Sequence, residues 1–150
     1  MTAKIIGKCE LPDTPLEIPL FVESVPAGFP SPAQDYVERT LDLNELCIRN
    51  APATFFVRAE GDSMINAGIR PGDILIVDRS LEPRHKDIVI AKIHGELTVK
   101  LLHTTPTISL VPMNPNYQPI QVREEHEMEI FGVVTFILHP TRRSEHHEHT

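Results

Sequence analysis

The segment Asp87-Ile88-Val89-Ile90-Ala91-Lys92-Ile93-His94-Gly95-Glu96-Leu97-Thr98-Val99-Lys100-Leu101-Leu102-His103 decides the fold. Two short runs rich in apolar and β-branched residues, 87–93 and 96–103, are separated by only two residues. Such runs mark strands, whose side chains alternate between two faces, and His94-Gly95 suits a two-residue hairpin turn. That turn sets the pairing: Ile93 opposite Glu96, Ala91 opposite Thr98, Val89 opposite Lys100. Lys100 then shares a face with Val89, Ala91, Thr98 and Leu102. The other face holds Ile88, Ile90, Leu97, Val99 and Leu101, with Lys92 beside the turn. Lys100 is therefore mid-strand among small and apolar neighbours, where its charged form loses hydration and its pKa falls. An isolated lysine at such a place is also the ordinary guard of an edge strand. Spacing alone leaves both open.

Outward from the hairpin, further strands are expected over residues 55–60, 74–78, 107–113 and 129–138. Arg70-Pro71-Gly72-Asp73 carries the Pro-Gly pair of a type II turn. The fold class is thus mainly β, of short twisted strands. A small helical start precedes it. Ser31-Pro32 offers an N-cap with proline at the first helical position, leading into residues 33–41. Asp42 with Glu45 resembles a capping box ahead of Leu46 and Ile48. Two short helices, or one broken helix, are expected over residues 32–49.

The first fifth of the chain is built differently. Prolines number 14 in 150 residues, about twice the usual ~5%. Pro12, Pro15, Pro19, Pro26, Pro30 and Pro32 crowd into the first 32 residues. Proline fixes φ and lacks a donor, so interior helix and central strand are excluded there. An extended arm over residues 1–32, a folded domain over 33–139 and a flexible tail over 140–150 are the expected organisation.

Composition narrows the function. With 21 acidic and 14 basic residues, the formal net charge is −7. A protein whose main work is gripping a phosphate backbone needs clustered Lys and Arg, and this balance argues against direct, sequence-specific nucleic-acid binding. The longest nearly apolar stretch, residues 132–138, is far short of the ~20 that span a bilayer, so no membrane role is expected. Lys4 and Lys8 are followed by no apolar core of a signal peptide. Cys9 and Cys47 make neither a disulfide framework nor a zinc set. A cytoplasmic location with reduced thiols is expected.

Gly61-Asp62-Ser63-Met64 follows the strand at residues 55–60. Glycine permits a sharp turn that presents Ser63 at a strand end. A serine at a turn is commonplace, and its hydroxyl is a poor nucleophile without a nearby base. No histidine sits in a triad setting, so a lysine is the base to consider. An ordinary lysine is neutral roughly once in 2500 molecules at pH 7, so burial must lower its pKa before it can serve.

Gly61-Asp62-Ser63-Met64, the run from Gly68-Ile69-Arg70-Pro71-Gly72-Asp73 through Ile74-Leu75-Ile76-Val77-Asp78, and Gly95-Glu96-Leu97-Thr98-Val99-Lys100 together resemble the self-cleaving serine–lysine peptidases related to LexA. Pro112-Met113-Asn114, Tyr117-Gln118-Pro119-Ile120 and Ile130-Phe131-Gly132-Val133-Val134 continue the likeness. Val25-Pro26-Ala27-Gly28-Phe29-Pro30-Ser31-Pro32 narrows it to the UmuD branch. The likeness spans residues 20–138, and the spacings of Gly28, Ser63 and Lys100 fit it.

This resemblance implies a LexA-like C-terminal peptidase domain. Ser63 would be the nucleophile and neutral Lys100 the general base. The backbone N–H groups of Ser63 and Asp62 would stabilise the oxyanion. The substrate would be the chain's own bond between Ala27 and Gly28. No cofactor or metal is implied. The implied partners are a second copy in a homodimer, a RecA filament on single-stranded DNA that stimulates cleavage, and a UmuC-type polymerase subunit. Once cleaved, such a protein serves an error-prone translesion polymerase in the SOS response. A LexA-type or phage-type repressor lacking its DNA-binding domain is the alternative; residues 1–27 are too broken by proline to supply a helix-turn-helix.

The remaining candidates read as structural. His146, His147 and His149 with Glu148 are expected in a solvated tail, and His126 among Glu124, Glu125, Glu127 and Glu129 in an exposed acidic loop. Asp62, Asp73 and Asp78 are expected at turns and strand ends. Cys47 is expected buried on the helical face, and Cys9 in the arm, open to an intermolecular disulfide only under oxidation.

Overall fold

A computed structural model describes residues 1–9, 17–21, 37–124 and 127–142. Its core grows from the hairpin. Strands β6 (Ile88–Ile93) and β7 (Glu96–His103) pair with Ile93 opposite Glu96, Ala91 opposite Thr98 and Val89 opposite Lys100, the register expected from the turn. His94 and Gly95 have φ of 52° and 80°. Two positive φ values in succession twist the turn in the sense the strands need.

Around this hairpin the chain adds β1 (Thr2–Lys8), β4 (Thr54–Glu60), β5 (Ile74–Asp78) and β10 (Met128–Leu138). The order β1-β4-β5-β10-β6-β7 closes on itself, because Thr2 of β1 also pairs with Thr98 of β7. Closure removes the open edges that a flat sheet would expose. Short strands β8 (Ser109–Val111) and β9 (Ile120–Gln121) extend from the far half of β7. The edge of β7 is therefore shared: β1 holds it at Thr98, β8 holds it from Leu101 onward, and Lys100 lies between them.

The two faces of the hairpin feed two apolar clusters, as alternation requires. One gathers Val57, Ala59, Met64, Ile69, Leu75, Val77, Ile90 and Val99, with Ile88, Leu97 and Leu101 against it. The other gathers Val89, Ala91, Ile93 and Leu102 with Leu110 and Val133. A bulge in β10 between Ile130 and Gly132 lets both Ile130 and Val133 reach this second cluster. A bulge adds one residue to a strand and so shifts the alternation.

Strands at residues 74–78 and 96–103 stand where the sequence placed them; those over 107–113 and 129–138 became Ser109–Val111 and Met128–Leu138. Asp73 N–H donates to the Arg70 carbonyl at 3.0 Å and Gly72 has φ of 90°, the geometry of the expected turn.

The Ser31-Pro32 cap and residues 33–36 lie outside the described residues, and from residue 37 onward less is helical than expected. Helix α1 spans Leu43–Cys47, capped by the Asp42 carboxylate accepting from the Asn44 N–H. Residues 37–42 are strand β3 (Val37–Asp42), which pairs with β2 (Glu17–Phe21) in a separate two-stranded sheet. Pairing overrides the weak helical signals there, since propensity is a small term beside a ladder of hydrogen bonds.

The opening residues depart most from a proline-rich arm. Residues 2–8 are a full strand of the barrel, with Thr2 opposite Glu60 through Lys8 opposite Phe55. Cys9 is buried at the end of that strand, its N–H donating to the Thr54 carbonyl at 3.0 Å, so it is not placed for an intermolecular disulfide. Cys47 is half-buried rather than buried.

Candidate active site

Strand β4 delivers the chain to Gly61, whose φ of 84° only glycine adopts without strain, and the next residues turn inward. Ser63 and Met64 are both fully buried. The turn is closed by the Ile65 N–H on the Asp62 carbonyl at 3.2 Å, and by a short helical turn over Ile65–Ala67. Ser63 is held at the start of a compact corner, facing the gap in the β7 edge.

Lys100 fills that gap. Its side chain is only 6% exposed, which excludes the reading as a solvent-facing edge lysine. The Nζ lies 3.2 Å from Ser63 Oγ, 2.8 Å from Thr98 Oγ1 and 3.1 Å from the Val99 carbonyl oxygen. The Thr98 hydroxyl spends its own proton on the Met1 carbonyl at 2.7 Å, so towards Lys100 its oxygen accepts. The Val99 carbonyl can only accept. With both of these partners accepting and the amine beside Ser63 Oγ, a neutral Lys100 could receive the hydroxyl proton. Burial pushes the Lys100 ammonium below its ordinary 10.5, with its contact to the Met1 α-amine opposing.

Met1 is the residue that sequence reasoning missed. Its α-amino group donates to Ser63 Oγ. Its carbonyl also accepts from the Val99 N–H at 2.9 Å. Burial, and then the bond and charge of Lys100, push that amine from 8.0 down to about 5, with Asp62 opposing. The strand β1 therefore starts on top of the serine. A Cβ at Gly61 would make only ordinary contact with the Met1 Cα, at 3.6 Å, so the glycine answers to its positive φ rather than to Met1. No periodicity in residues 1–8 announces this contact, which exists only through pairing with β4 and β7. A cavity of about 460 Å³ lies elsewhere, lined in part by Cys47, Arg49, Arg84 and Phe136, and includes neither Ser63 nor Lys100.

The three aspartates do not form one site. Asp73 accepts from the Arg70 N–H, Asp78 from Ser80, and Asp62 from the Tyr117 hydroxyl. Asn114 and Tyr117, both on the Asp62 turn, carry no signal of their own in the sequence beyond the quoted motif. Ala27, Gly28, His126 and the tail histidines lie outside the described residues.

A buried serine hydroxyl in contact with a buried lysine amine is the arrangement that a nucleophile and its base require. The Peptidase S24-like family matches residues 19–135. The chain is 53% identical over 127 residues to Protein SamA of Salmonella typhimurium, covering 85% of this chain and 89% of that protein. It is 50% identical over 126 residues to Protein ImpA of Escherichia coli, covering 83% and 85%. It is 46% identical over 126 residues to Protein MucA of Escherichia coli, covering 82% and 86%.

The chain belongs to the UmuD family. UmuD-family chains are self-cleaving serine peptidases with the S24 domain, and this one is an SOS mutagenesis protein. The barrel is consistent with the S24 peptidase fold. Within this UmuD-family chain, the structure brings together Ser63, Lys100 and the Asp62 turn from segments far apart in sequence. Among the described residues, no helix is long and apolar enough to cross a membrane.

Proposed function

We propose that this chain cuts its own peptide bond between Ala27 and Gly28, with Ser63 as nucleophile and Lys100 as base. The observation that carries the reading is the Lys100 Nζ, buried, 3.2 Å from Ser63 Oγ and with its Thr98 and Val99 partners accepting. Neutral Lys100 takes the hydroxyl proton as Oγ attacks the Ala27 carbonyl carbon. The oxyanion is held by the backbone N–H groups of Ser63 and Asp62, donors that need no reorganisation. Lys100 then gives its proton to the Gly28 nitrogen as the bond breaks, leaving Ala27 esterified to Ser63. Water, deprotonated by Lys100, releases the acyl group and restores the serine.

Tethering supports a single turnover by so spare a pair. An intramolecular substrate has a high effective concentration, which offsets a base that is only partly neutral. The product, residues 28–150, then works as accessory subunit of a UmuC-type error-prone polymerase. Homodimers, stimulation by a RecA filament on single-stranded DNA and a cytoplasmic location complete the reading, supported by membership of the UmuD family. A net charge of −7 fits a protein that meets DNA through partners.

The test is direct. Purified chain, Ser63→Ala and Lys100→Ala are incubated in parallel, and products are sequenced from their N-termini. A new terminus at Gly28 is expected from the parent and from neither variant. Cleavage surviving in both variants would overturn the mechanism.

A further inference from the structure

Two side chains that the mechanism above leaves unused reach the turn carrying Ser63. Both come from residues 112–117. Asn114 is 8% exposed, and its Nδ2 donates to the Asp62 carbonyl oxygen at 2.9 Å. Its other half is equally committed, with Oδ1 accepting from the Asn116 N–H at 3.0 Å. That pair of contacts fixes which end of the amide faces Asp62. The Tyr117 hydroxyl donates to the Asp62 carboxylate at 2.5 Å. Beyond Ser63, the Asn66 N–H donates to the Met113 carbonyl at 2.8 Å. The segment thus holds the serine turn on both sides of Ser63.

The Asp62 carbonyl and the Ser63 N–H belong to one peptide unit. That unit is planar and trans, since the cis bond among the described residues is Thr105–Pro106. In a trans peptide the C=O and N–H point in opposite directions. Anchoring the carbonyl on Asn114 therefore sets the direction of the Ser63 N–H. The Ile65 N–H adds a second anchor to the same oxygen at 3.2 Å.

We infer that Asn114 is a positioning residue for oxyanion stabilisation: by holding the Asp62 carbonyl, it keeps the Ser63 N–H aimed at the charge that develops on the Ala27 carbonyl oxygen. This rests on the proposed Ser63 mechanism. A donor already aimed does its work without reorganising during the reaction, and outright loss of one such donor costs about 10²–10³ in rate. Loosening it costs less.

Asn114→Asp isolates the contact. The aspartate keeps the shape and the acceptor for the Asn116 N–H, but has no proton to offer the Asp62 carbonyl at neutral pH and above. Asn114→Ala removes both contacts without adding charge. First-order self-cleavage of the full chain is followed across pH for both variants, the parent and Ser63→Ala, with melting temperatures alongside. The plateau rate at high pH is expected to fall about 10- to 100-fold in both Asn114 variants. In Asn114→Ala the pH of half-maximal rate, set by Lys100, stays at the parental value. Labelling of Ser63 by a small organophosphonate, whose P–O⁻ uses the same donor, falls in step. Plateau rates within twofold of the parent in both variants would overturn the inference. So would a loss confined to an Asn114→Ala protein that no longer melts cooperatively, with Asn114→Asp at parental rate, because Asn114 would then be structural. Cleavage persisting in Ser63→Ala is a separate result, and would remove the mechanism beneath it.

Discussion

Lys100 is buried, and in the proposed mechanism the same desolvation that penalises its ammonium makes it a base. Its folded pKa lies below the ordinary 10.5 because burial penalises the ammonium. Linkage then fixes the sign. A depressed lysine pKa means the folded state binds the proton less tightly than the unfolded chain, so stability is lowest while both are protonated. It recovers as pH rises from the folded value towards 10.5. Lys100→Met, which fills similar space without charge, is expected to melt a few degrees higher than the parent at pH 7. The gain should shrink as pH approaches 10.5, as thermal melts across a pH series would reveal. An equal gain at every pH would mean that the lysine's charge is not what costs stability.

At the scale of elements, two features decide how the barrel closes. Gly132 sits at the β10 bulge, and a Cβ there would stand 2.6 Å from Val77 Cγ1 and 3.2 Å from the Asp78 carbonyl oxygen. Gly132→Ala must push β10 from β5, and a loss of about 1–3 kcal/mol is expected from denaturant titration. Strand β1 is the second feature. Its first residue lies on Ser63, and the Ala27 carbonyl carbon would need that same place. A chain lacking residues 1–8 is expected to melt lower, having lost a stave of the barrel. Its Ser63 should nevertheless react faster with a small organophosphonate, by about tenfold, a rough allowance for freeing a nucleophile that is fully buried in the parent. Labelling no faster than the parent would show that β1 does not cover the serine.

These elements also mark how far the sequence could be read. The β6–β7 register was legible because His94-Gly95 leaves one turn geometry, and that register placed Lys100 on its face. Ser63 was legible because Gly61 announces a corner at a strand end. Strands β1 and β3 were not, since nothing in residues 2–8 or 37–42 alternates strongly enough to outweigh proline content or helix-cap signals. Their pairing is decided by partners distant in sequence. The Thr98 hydroxyl, which accepts from Lys100 Nζ, and Asn114, which holds the Asp62 carbonyl, depend on three-dimensional contacts in the same way.

For the whole molecule, the barrel brings a corner after β4 and the middle of β7 together at the one place where the β7 edge passes from β1 to β8. In the proposed mechanism, self-cleavage there is a local reaction whose rate follows the neutral fraction of one lysine. The most direct measurement is intact-mass spectrometry of the purified chain incubated over a pH series. Slow, first-order appearance of the fragment that begins at Gly28 is expected. Its rate should climb with pH and level off at a midpoint below 10.5, as Lys100 sheds its proton. A rate independent of pH, or a fragment beginning elsewhere, would contradict the proposed mechanism.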